Sequence, residues 1–148
     1  MTSTHIRKEN ASIRDCAQSI NRILYTCKTS HTDCIAGDLH QSSRGLVTPQ
    51  FIPKRLLHIS GEGMPLQVRL HETTSGETSL EGTHLQYTAL SHCWGTTPVI
   101  KTTTDTMSGF EIEGIDWLHL PKTFQEAILL THELGIMYIW IDSLCKCI

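Results

Sequence analysis

The sequence has no long apolar run. Its longest, Ile136 to Ile141, falls far short of the ~20 residues a helix needs to cross a bilayer, and the polar opening MTSTHIRKEN lacks the apolar core of a secretion signal. Basic charge is also scarce. The formal net charge is -3, with Lys and Arg scattered along the chain, so the footprint of a nucleic-acid-binding protein is missing. No Gly-rich phosphate cradle occurs, and no C-x2-C pair marks a zinc ribbon. Without a secretion signal the six cysteines, Cys16, Cys27, Cys34, Cys93, Cys145 and Cys147, read as thiols rather than as a disulfide framework. A cytoplasmic protein is expected.

What is present suits a globular chain: 148 residues, 39% hydrophobic and 18% charged, enough for one core. Three segments are expected. In residues 1–50, Ile13, Cys16, Ala17, Ile20, Ile23, Leu24 and Cys27 recur at helical spacing, which predicts an amphipathic helix from Ser12 to Lys28 packed on the rest of the protein. A Cys/His loop follows it. In residues 51–84, Lys54 to Ile59 and the alternation around Leu66, Val68 and Leu70 predict two strands, and Ser60-Gly61-Glu62-Gly63 supplies the turn of a hairpin.

In residues 85–148, Leu85 to Leu90 reads as a strand and the Thr-rich stretch from Thr96 to Thr106 as a β-prone segment and loop. Pro121 suits the first turn of a helix whose Phe124, Ala127, Ile128, Thr131 and Leu134 share a face, and Gly135 stops it. The run Ile136 to Ile141 then predicts a central parallel strand buried on both faces. The order implies an α/β fold: a partial open parallel sheet with a right-handed βαβ unit, preceded by an N-terminal helix and a β-hairpin.

Ligands of such sheets bind beyond the carboxyl ends of the strands. If the strands ending at Leu90 and Ile141 are neighbours, Ser91, His92, Cys93, Asp142, Ser143 and Cys145 line one edge. Asp142 and Ser91 are the candidate catalytic residues. A carboxylate after an apolar strand must find donors, in a site or by capping the next turn. Cys93 reads as packing, and Trp94 and Gly95 as loop-fixing residues, Gly95 through a positive φ. A second constellation, Cys27, His31 and Cys34, has zinc-like ligands and lacks a fourth, for which Cys16, Asp33 or His40 could serve.

Two blocks carry a resemblance. Ala89-Leu90-Ser91 with Trp94-Gly95, and then Leu120-Pro121, Thr123-Phe124, Ala127, Leu134-Gly135, Tyr138 and Trp140-Ile141-Asp142-Ser143-Leu144-Cys145, resemble the fungal heterokaryon incompatibility (HET) domain. The resemblance implies non-self recognition and programmed cell death through protein partners, either an incompatibility partner or a second copy. By distant likeness to TIR domains it also implies a flavodoxin-like sheet, with NAD as a cofactor or substrate. Family members usually continue past the Leu-Cys with a helix bearing a glutamate, whereas this chain reads Lys146-Cys147-Ile148. The domain is therefore expected to be truncated and to act by association, with an apolar face in need of cover. An NAD-hydrolysing TIR-like enzyme and a small zinc-binding module are the alternatives.

Overall fold

The computed structural model describes residues 12–32, 52–73, 85–93, 95 and 98–147. Among these a mixed sheet of four strands, β1 (Arg55–Ser60), β2 (Gln67–Glu72), β3 (Thr88–Leu90) and β4 (Tyr138–Ile141), is ordered β2-β1-β4-β3. The expected hairpin forms, with Leu57 opposite Leu70 and Ile59 opposite Val68. It is not a separate appendage, because β1 continues into an antiparallel pairing with β4, Leu57 opposite Ile139. β3 and β4 pair in parallel, Leu90 opposite Ile141.

The helix between them completes the βαβ unit. Helix α3 (Lys122–Glu133) starts one residue after Pro121, whose carbonyl accepts the N–H groups of Phe124 and Gln125 at 2.9 and 3.0 Å. It buries Phe124, Ile128 and Thr131 on the sheet, as the spacing predicts. Gly135, at φ +77, donates its N–H to the His132 carbonyl and ends the helix. The Thr131 and Thr88 hydroxyls meet at 2.7 Å and tie α3 to β3.

Strand β4 is central, but only one of its faces is buried. Ile139 and Ile141 join the core with Leu57, Ile59, Val68, Leu70, Ile115, Leu120, Phe124 and Ile128, while Tyr138 and Trp140 are half-buried. The expectation of burial on both faces fails because α3 covers the Ile139 side, and the Tyr138 side carries polar and aromatic neighbours. There His58 and His71 stand 5.2 and 5.7 Å from Tyr138, ring to ring.

The Thr-rich stretch is a second correction. Thr104–Ile112 forms helix α2 rather than extended chain. Thr103 is its N-cap. The Thr103 hydroxyl accepts the Thr106 N–H, and the Thr106 hydroxyl accepts the Thr103 N–H, a reciprocal box that puts two β-branched residues where a helix start needs side-chain oxygen. A single 3-10 turn, Trp117–His119, follows, capped by Asp116.

Helix α1 spans Ile13–Ser30 from the N-cap Ser12, which forms a capping box with Asp15. Its first turns meet α3: Ala17 is buried and the Arg14 guanidinium lies 3.4 Å from the Glu133 carboxylate. Ile23, Leu24 and Tyr25 are exposed, so the expected packing holds only for the N-terminal half. No helix among the described residues is long and apolar enough to cross a membrane.

Candidate functional site

The parallel pairing of β3 and β4 places Ser91 and Asp142, each the residue after its strand, side by side at the carboxyl edge of the sheet. This is the juxtaposition expected from the sequence. Ser91 and Cys93 are exposed there, whereas His92 turns inward, its ring edge-on to Phe124 at 5.0 Å. Phe124 sits in the first turn of α3, so His92 seals the junction between the strand end and the helix. Gly95 has φ +67, as expected. Trp94 lies outside the described residues.

After Ile141 the chain makes one helical turn, α4 (Asp142–Cys145). The Asp142 carboxylate stands at the first position of that turn. It pairs with Lys146 at 3.1 Å, and the same ammonium lies 5.5 Å from the Trp140 ring centroid. Ser143, Leu144 and Cys145 are buried. Thr102 is sealed beside them: its N–H donates to the Ser143 carbonyl at 3.0 Å and its hydroxyl to the Leu144 carbonyl at 2.6 Å. A parallel bridge from Thr102 to Cys147 extends the contact. The sequence offers no signal for Thr102, which stands as one threonine in a run.

The thiol at this edge is a structural group. Cys145 Sγ accepts the Ile141 N–H at 3.3 Å, and burial pushes its pKa up to about 11 despite the lowering effects of that hydrogen bond and of Arg55. A thiol with that pKa is not ionised at neutral pH and is not a nucleophile. Ser143 is fully enclosed, and its hydroxyl meets no partner among the described residues. Buried Ser143 and Cys145, with the bonds from Thr102, hold the strand ends together.

The zinc-like constellation divides. Cys27 is half-buried and His31 exposed, one turn apart at the C-terminal end of α1. Cys34, Asp33 and His40 lie outside the described residues. Cys16 cannot join Cys27, because eleven residues along one helix separate them by ~16 Å. Among the described residues no group of three His, Cys, Asp or Glu side chains is placed to hold a metal ion.

A parallel βαβ unit whose strand ends meet under a helix N-terminus defines an α/β module of the kind that binds at its carboxyl edge. Residues 87–146 match the family model described as heterokaryon incompatibility protein (HET), and over that stretch the chain is similar to that family. No curated protein and no solved structure matched. The matched stretch coincides with β3, α2, α3, β4 and α4. The resembling residues divide by role: Leu120, Phe124, Ile141, Leu144 and Cys145 build the core, Pro121 and Gly135 bound α3, and Ser91 and Asp142 stand at the edge.

Proposed function

We propose that this chain acts in fungal non-self recognition, as a cytoplasmic component of heterokaryon incompatibility that promotes programmed cell death by associating with another protein. The observation that carries the reading is the family match over residues 87–146, which falls on one continuous βαβ unit. The parallel β3–β4 pair with α3 between is in keeping with a TIR-like, flavodoxin-type arrangement. Association rather than chemistry is favoured by the strand-end residues: Asp142 is paired with Lys146, and the Cys145 thiol stays protonated.

The test is inducible expression of the chain in a filamentous fungus, with uptake of a membrane-impermeant dye scored per hyphal compartment. Dye uptake that follows induction is the expected result. Normal growth with the protein accumulating to readily blotted levels would count against the reading. Incubation of the purified protein with NAD is expected to release no nicotinamide, and release abolished by Asp142→Ala would turn the proposal toward enzymatic action.

A further inference from the structure

Away from the strand ends, a cleft of about 500 Å³ opens between β2 and the connection from α2 to the 3-10 turn. Leu66, Val68 and Arg69 line one side, and Glu113, Asp116 and Trp117 the other. Backbone contacts fix its base. The Ile115 N–H donates to the Val68 carbonyl at 2.8 Å, and Gly114, at φ +91, passes so close that a Cβ there would lie 2.9 Å from the same oxygen. No residue but glycine fits that approach. Because the outward carbonyl of Val68 is already used, an occupant would be held by side chains and not by joining β2 as another strand.

The chemistry of the walls is one-sided. The stretch from Asp105 to Asp116 holds Asp105, Glu111, Glu113 and Asp116 and no Lys or Arg. Inside the cleft, two carboxylates face the single guanidinium of Arg69. Asp116 is partly committed, accepting the Leu118 N–H at 2.9 Å and standing 3.7 Å from His119 Nδ1. Glu113 forms no ion pair among the described residues. The half-buried Trp117 adds an aromatic wall, which with a carboxylate beside it suits a cation. Next to the cleft stand Leu118 and Ile112, 84% and 72% exposed, the two most exposed large hydrophobic residues described.

We infer that this cleft docks a partner protein, receiving one arginine or lysine side chain from a basic segment whose adjacent apolar side chains cover Ile112 and Leu118. The inference rests on the association reading above and supplies the chemistry of the partner. Glu113 provides a carboxylate with no ion pair among the described residues, Trp117 the aromatic wall, and the two exposed aliphatic residues a rim that excludes water from the charge pair.

The probe is the peptide acetyl-Leu-Arg-Leu-amide, and its control carries citrulline, of the same shape and no charge, in place of arginine. Titrated into isotopically labelled protein, the arginine peptide is expected to shift the Trp117 indole N–H and the Gly114 and Ile115 amides. Its affinity should be about tenfold higher than that of the citrulline peptide, the size of one shielded charge contact, and Glu113→Gln should erase the difference. Equal affinity for the two peptides, shifts confined to other residues, or no shift at millimolar peptide would each overturn the inference. Glu113 is exposed, so the variant is expected to unfold at the wild-type temperature. Failure here leaves the dye-uptake result untouched, so the two readings fail separately.

Discussion

The Thr102 hydroxyl donates to the Leu144 carbonyl at 2.6 Å, joining two fully buried residues 42 positions apart. With the Thr102 N–H on Ser143, it ties the start of the α2 segment to the turn after β4. Thr102→Val keeps the shape and leaves that carbonyl without its hydroxyl partner. A loss of about 1–2 kcal/mol is expected in urea unfolding, and Thr102→Ser should recover most of it. Equal stability of the valine variant and wild type would show that the bond contributes nothing net.

Phe124 is the largest side chain in the core and the wall against which His92 rests. Phe124→Ala is expected to cost about 3–5 kcal/mol, enough to unfold a marginal domain, whereas Ile128→Val should cost about 0.5–1.5 kcal/mol. Far-UV circular dichroism through a urea titration separates the two. A Phe124→Ala protein as stable as Ile128→Val would mean that α3 does not hold the sheet.

His58 sets a pH dependence. Partial burial first, then His71 and Arg69, lower its pKa below the ordinary imidazole value. The unfolded chain therefore binds this proton more readily, and the contribution is present above the ordinary value, ~6.5, and lost as pH falls through and below it. Arg69→Gln should move the His58 titration, followed by NMR, back toward the ordinary value. An unchanged midpoint would remove Arg69 from the account.

Cys145 acts in the opposite direction. Its folded pKa is raised to about 11, so the stability it contributes is complete below the ordinary thiol range and declines as pH rises toward 11. The same burial predicts order in labelling. Iodoacetamide should modify the exposed Cys16 and Cys93 in the native protein and reach Cys145 only in denaturant. Mass spectrometry of the digested protein locates the adducts, and native labelling of Cys145 would contradict its enclosure.

Much of the fold was legible because periodicity reports burial directly. The spacing of Phe124, Ile128 and Thr131 gave α3, the alternation of Val68 and Leu70 gave β2, and the Ser60–Gly63 turn gave the hairpin. Two features were hidden. An all-apolar run such as Ile136 to Ile141 cannot say which of its faces is covered, and here the Tyr138 and Trp140 side meets histidines. Helix α2 was hidden because a threonine run reads as strand by propensity, while the reciprocal bonds of Thr103 and Thr106 outweigh propensity at a helix start. At the site, the neighbourhood of Ser91 and Asp142 followed from parallel pairing. The pairing of Asp142 with Lys146 and the enclosure of Ser143 depend on the turn after β4, which no sequence period encodes.

Dye uptake in hyphae induced to express either the wild-type chain or Phe124→Ala at matched protein levels decides whether the proposed role in cell death requires the folded core. Compartment death with the wild-type chain and survival with the variant is the predicted result. Death at equal frequency with both chains, or with neither, would contradict a role that depends on the folded βαβ unit of residues 87–146.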